Sequence, residues 1–279
     1  MTKIFYIVEI IMRYLIVVVF LFFSISTLST ADDFGSGMAA YQSKDYKKAV
    51  KQWLIAAKKG HSLAQANLAL MYDNGLGIPK DAKEAVKWYL LAAQQGHAIA
   101  QSNLGFMYQN GEGVNQDINE AVKWYTLAAQ QGVAAAQYNL GLLYSNGQGV
   151  MQDYQQAIAW YHLAAEQEHP LAQSNLGFMY EKGQGVRQNN KEAMTWYRLA
   201  AEKNNALAQY NLGVMYAYGQ GAVQDYTHAY VWFNLSTTNG YTPAAELREI
   251  ALSKLSPDQI EKAQKMSREC LNSTYRNCE

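Results

Sequence analysis

Residues 63–97 read LAQANLALMYDNGLGIPKDAKEAVKWYLLAAQQGH, and the same pattern restarts at Ile99, Ala135, Leu171 and Leu207. Tyr72, Tyr108, Tyr144, Tyr180 and Tyr216 stand 36 residues apart, as do Trp88, Trp124, Trp160, Trp196 and Trp232. A fixed period of this length belongs to a stacked array of small units, not to one globular core. Within the quoted unit, Ala64, Leu68, Met71 and Tyr72 form an i, i+4, i+7, i+8 stripe, which predicts a first helix over 63–74. Gly75 then stops that helix and Gly77 lets the chain turn sharply. The glycine pair returns as Gly111/Gly113, Gly147/Gly149, Gly183/Gly185 and Gly219/Gly221. No P-loop Lys-Ser/Thr follows it, so it reads as a turn and not as a phosphate cradle.

The second helix of the unit opens on Asp81 with Glu84 three residues on, a capping-box arrangement. It recurs as Asp117/Glu120, Asp153/Gln156 and Asn189/Glu192, and weakens to Asp225/His228. These acids therefore read as caps, each worth about 1 kcal/mol, and not as acid/base dyads. The helix then offers Ala85, Trp88, Tyr89, Ala92 and Ala93 for burial. One such hairpin has no second layer to cover its apolar stripe, while ordering each residue costs about 1–2 kcal/mol in backbone entropy. Neighbouring units must fold together.

Working outward, residues 39–60 carry Tyr41, Ala49, Trp53, Ala56 and Ala57 but lack the Gly-x-Gly loop. They read as a short hairpin of tetratricopeptide type that caps five full units over 61–240. At the other end, residues 241–269 read as a helical cap. Thr242-Pro243 opens one helix, and Ser256-Pro257-Asp258-Gln259 opens another with its own capping box. Residues 270–279 form a tail containing both cysteines of the chain, Cys270 and Cys278. In an exported protein the pair suggests one small disulfide loop; two free thiols are the alternative.

Residues 1–31 have Lys3 and Arg13, an apolar run from Tyr14 to Phe23, and Ser29-Thr30-Ala31. This is the form of a cleaved secretory signal, with translation from Met12 giving a tidier version of it. Export to the periplasm or the medium is the corresponding expectation; an uncleaved inner-membrane anchor is the alternative, and would be the chain's only membrane contact. Charged residues are 16% of the 279 and the formal net charge is zero, which argues against nucleic acid as a partner. His61, His97 and His169 fall at unit junctions, and His162 and His228 on second helices, with no H-x-x-x-H pair. No metal site, cofactor or catalytic nucleophile is expected. His162, after Trp160-Tyr161, reads as packed.

The recurring A-x-x-N-L-G-x-x-Y, N-G-x-G-V and D-x-x-x-A-x-x-W-Y-x-x-A-A-x-x-G strings resemble the Sel-1-like repeat (SLR) family, relatives of tetratricopeptide repeats, over about residues 39–269. LSPDQIEKAQKMSREC is similar to the closing cap of many bacterial members. Ala69, Glu168, Asn189 and Ala222 depart from the pattern without disturbing it. The resemblance implies an all-α, right-handed α/α superhelical solenoid. It also implies a non-enzymatic adaptor for protein complexes, in bacteria often in the envelope. Some secreted, cysteine-rich relatives bind or weakly hydrolyse β-lactams, which makes a cell-wall-directed binder or hydrolase the alternative. Those carry C-x7-C inside every repeat, whereas here that spacing occurs only at Cys270/Cys278.

Specificity in such an array is expected at positions that vary inside the fixed frame. One row is Ala66, Ser102, Tyr138, Ser174 and Tyr210; another is Asp73, Gln109, Ser145, Glu181 and Ala217. Between them Asn67, Asn103, Asn139, Asn175 and Asn211 never change. The functional reading is a concave groove for a protein or peptide, with the asparagines on the ligand and Tyr138 and Tyr210 as aromatic anchors. The competing reading has each Asn tying one hairpin to the next by a side-chain-to-backbone bond.

Overall fold

A computed structural model describes residues 33–273, 275 and 278; the signal-like segment lies outside them. These residues are all-α, with no strand among them. Helix α1 covers residues 33–42. It is followed by α2 (Tyr46–Lys58), α3 (Ser62–Asn74), α4 (Ala82–Gln94), α5 (Ala98–Asn110), α6 (Ile118–Gln130), α7 (Ala134–Asn146) and α8 (Tyr154–Glu166). Then come α9 (Pro170–Lys182), α10 (Asn190–Glu202), α11 (Ala206–Tyr218), α12 (Tyr226–Thr238), α13 (Ala244–Leu252) and α14 (Pro257–Asn272). The chain forms two compact units, Met1–Trp124 and Tyr125–Glu279. In each, helices adjacent in sequence pack on one another, the arrangement of a helical-repeat solenoid. None of the described helices is long and apolar enough to cross a membrane.

The local devices repeat with the period. Gly75 ends α3 in the left-handed conformation, at φ 68°. Gly77 also has positive φ, and a Cβ there would lie 2.4 Å from the Tyr46 carbonyl carbon, so the loop of one hairpin rests directly on the second helix of the preceding one. Asp81 accepts hydrogen bonds from the N–H groups of Lys83 and Glu84. The reciprocal half of the expected capping box is absent because the Asp81 N–H donates to the Tyr72 carbonyl at 2.9 Å. Glu84 turns outward to Lys87 instead. The full box forms at Ser256 and Gln259.

In the first unit the core runs through Ala49, Trp53, Leu68, Met71, Ala85, Tyr89, Leu104 and Met107. Trp53 stands 36 residues before Tyr89 and so fills the tyrosine's place in the frame, not the tryptophan's. Its indole N–H donates to the Phe34 carbonyl at 3.3 Å. In the second unit Tyr161, Tyr197 and Phe233 lie against Gly141, Gly177 and Gly213, where a Cβ would fall within 2.6 Å of the ring.

The register between hairpins is held by glutamines. Gln65, Gln101, Gln137, Gln173 and Gln209 are buried. Each donates its amide to the carbonyl eight residues earlier, at the end of the previous helix, at 3.0–3.2 Å. Gln95 donates onward to Gln65 at 2.6 Å, Gln167 to Gln137 at 2.8 Å and Asn239 to Gln209 at 2.8 Å. At the C-terminal end α13 and α14 cover α12. Cys270 and Cys278 are bridged, and the intervening Tyr275 donates its hydroxyl to Asn239 at 2.9 Å.

Candidate partner-binding face

The first helix of each hairpin buries the side carrying Ala64, Gln65, Leu68 and Met71 and their equivalents. The side left open carries positions 63, 67, 70 and 74, which share a face at i, i+4, i+7 and i+11. Large apolar side chains stand there in solvent. Leu63, Ile99, Leu171 and Leu207 are 45–53% exposed, and Leu70, Phe106 and Phe178 are 37–48% exposed. Between them sit Asn67 and Asn103 in the first unit, and Asn139, Asn175 and Asn211 in the second, all half-buried.

From Asn103 onward the asparagines lie beside the tyrosine column of the preceding hairpin. Asn139 lies near the hydroxyl of Tyr125, Asn175 near that of Tyr161 and Asn211 near that of Tyr197. Asn103 lies near Tyr89, whose hydroxyl is outside bonding geometry. Asn67 follows the hairpin that has Trp53 in place of the tyrosine. Burial pushes all four phenols far up, so they stay neutral donors.

The row expected to vary in the open is corrected on two counts. Ala66, Ser102 and Ser174 are buried. Tyr138 and Tyr210 are half-buried at the junctions between hairpins: Tyr138 stacks on His169 at 4.8 Å and leans on Tyr161, and Tyr210 packs on Tyr241 at 5.1 Å and on Phe233. Burial raises both hydroxyls. Both tyrosines thus meet a ring 31 residues later in the chain, so these two members of the row serve internal packing.

The second varying row also answers to the interior. Glu181 accepts the Tyr197 hydroxyl at 2.9 Å, Ser145 lies near that of Tyr161, and the Asp73 charge acts on that of Tyr89. In the last hairpin Phe233 replaces the tyrosine and Ala217 replaces the polar residue, so the two changes go together.

The histidines act as caps. His61, His97 and His169 accept through Nδ1 from the N–H of Ala64, Ala100 and Ala172 at 3.1–3.3 Å. Asn205 does the same for Ala208 at 2.8 Å. Burial lowers the pKa of His97 and His169, which keeps the accepting nitrogen free of a proton. His162 packs edge-on to Trp196 at 5.3 Å and lies 3.4 Å from the Tyr180 hydroxyl. Asp225 caps α12 and faces His228 Nδ1 at 2.7 Å. Among the described residues no three His, Cys, Asp or Glu side chains converge as a metal site would need.

The Sel1 repeat family profile matches residues 35–61, 62–97, 98–133, 134–169, 170–205 and 206–241. The chain belongs to the Sel1 repeat family. The first Sel1 repeat is thus the short hairpin with Trp53. Among solved structures, c5321, a protective antigen present in uropathogenic Escherichia coli strains and displaying an SLR fold, is 37% identical with a TM-score of 0.76. The match covers 88% of this chain and 54% of that one, so the chain spans about half its length. A Sel1 repeat protein from Oxalobacter formigenes is 34% identical with a TM-score of 0.75, over 87% of this chain and 96% of that one. No curated protein matches the chain. Sel1 repeat proteins are generally non-enzymatic helical scaffolds that bind other proteins.

Proposed function

We propose that this Sel1 repeat protein is an adaptor that holds a segment of another protein on the open face of its first helices, in the cell envelope or after export. The observation that carries the reading is the exposed apolar row, with Leu171 and Phe178 about one turn to either side of Asn175 and Leu207 repeating the first position. Apolar anchors flanked by amides suit a peptide backbone whose alternate side chains need pockets. Each Asn amide has more bonding capacity than one phenol uses, and Tyr138 and Tyr210 keep part of their rings in solvent beside the row. The apolar run from Tyr14 to Phe23 supports export.

The test is in-cell crosslinking of the tagged full chain, with fractionation, comparing wild type with a Leu171→Ser/Phe178→Ser variant. Both side chains stand nearly half in solvent, so the fold tolerates the change. A discrete envelope protein captured by wild type and lost in the variant supports the reading. Capture that survives moves the site off this face, and no capture at all refutes the adaptor role in that cell.

A further inference from the structure

The zero net charge of the chain hides an uneven distribution. Residues 33–60 contain six Lys, no Arg and two Asp, whereas residues 61–279 carry 15 Lys and Arg against 19 Asp and Glu. The two acids of the first hairpin are occupied: Asp33 holds Lys59 at 2.7 Å, and Asp45 caps α2 by accepting the Lys48 N–H. Lys44, Lys47, Lys48, Lys51 and Lys58 are exposed, and none meets a carboxylate among the described residues. Elsewhere several lysines are paired, as at Lys87–Glu84, Lys123–Glu120, Lys182–Glu181 and Lys203–Glu168. The spacing 44, 47, 48, 51, 55, 58 puts the lysines on one side of the hairpin with Ile55, which is 38% exposed. The loop of the next repeat rests on the α2 N-terminus through Gly77 and adds Lys80 nearby.

We propose that this lysine face of α2 docks on an anionic phospholipid surface. Lys is depleted and Arg enriched where proteins bind proteins, and planar recognition of carboxylates favours the Arg fork. A face of lysines around one exposed isoleucine instead suits headgroups, where the aliphatic stems lie on apolar surface and the ammonium groups reach phosphate. The hairpin also follows the apolar run ending at Phe23, so it is the repeat nearest the bilayer whenever that run is embedded. The inference is independent of the partner-binding face, which lies on other helices.

The test is flotation of the full chain with phosphatidylcholine vesicles and with vesicles containing about one-third phosphatidylglycerol. Any insertion of the apolar segment contributes to both, so the ratio isolates the lysines. Wild type should favour the anionic vesicles by roughly a hundredfold, as three interfacial lysines would give, and lose the preference in about 0.5 M NaCl. A Lys47→Gln/Lys48→Gln/Lys51→Gln variant should show no preference, with an unchanged helical circular-dichroism signal, while the Lys→Arg triple variant keeps it. Equal partition of wild type, or a preference that survives in the glutamine variant, overturns the proposal. Lysine-dependent retention on polyglutamate without a vesicle preference also overturns it, and assigns the face to an acidic protein.

Discussion

Replacing Lys203 by Gln should stabilise the protein. Gln173 is 3% exposed, and its Oε1 has no hydrogen-bond partner. In the equivalent junctions Gln95 and Gln167 supply that bond to Gln65 and Gln137. Position 203 is in the same register, but Lys203 reaches instead to Glu168 at 2.6 Å. A buried acceptor left unmade costs about 1–3 kcal/mol. The ion pair given up is exposed on both sides, and such pairs contribute little. Lys203 is the C-cap of α10, so helix propensity barely enters. The net gain should be about 1 kcal/mol, which raises the thermal midpoint by roughly 2–4 °C for a protein of this size. Thermal and urea unfolding of the full chain would measure it, with Lys203→Ala as the control that loses the ion pair without adding a donor. A Gln variant no more stable than the Ala variant would refute the argument that the amide row sets the junction energy.

The hydroxyl and acid of the fifth repeat should be coupled. Tyr197→Phe alone should cost about 1–2 kcal/mol, and much less in a Glu181→Ala background that reproduces the Phe233/Ala217 pairing, a non-additivity measurable by a double-mutant cycle. Acid should weaken the protein through His97 and His169. Their pKa values in the folded protein lie below the ordinary histidine value of about 6.5, so the stabilising neutral caps are intact above that pH and are lost as the pH falls from there through the lowered values. Unfolding between pH 7.5 and 5 should show this loss, and His97→Asn/His169→Asn, which copies Asn205, should reduce it. Reducing the Cys270–Cys278 bridge should cost about 2–3 kcal/mol by the loop-entropy relation, and should speed amide exchange at Tyr241, whose N–H bonds Ser236 beside the anchored Asn239.

The fold was legible because its devices recur in step with the period. The Trp and Tyr columns, the glycine pair and the capping acids each name a backbone event, and five copies make each event stand out from chance. The site was less legible. Variation between copies pointed to positions 66 and 73, yet variation records any local demand, and the demand there is internal: a second ring beside Tyr138 and Tyr210, a hydroxyl beside Glu181. The open face is marked instead by apolar residues at positions 63 and 70. In one dimension these look like more of the core stripe, and only burial separates Leu63 from Leu68. The glutamine row escaped notice for a related reason. An invariant amide reads as frame, but its partner lies eight residues back on another helix, which no helical period reports.

The invariant frame and its exceptions therefore carry different information. A repeat array folds by reusing one junction, so a residue that departs from the frame must either be compensated inside its own junction or face outward without cost. Phe233 is compensated by Ala217. Lys203 is not, and leaves a measurable defect at Gln173. The lysines of α2 require no compensation because they stand exposed, outside the packed columns. Charge that accumulates on the first hairpin, with its own acids already engaged, is free of the packing that fixes every other column. The end of the array is thus where a contact with a charged surface can be added at least expense to the fold.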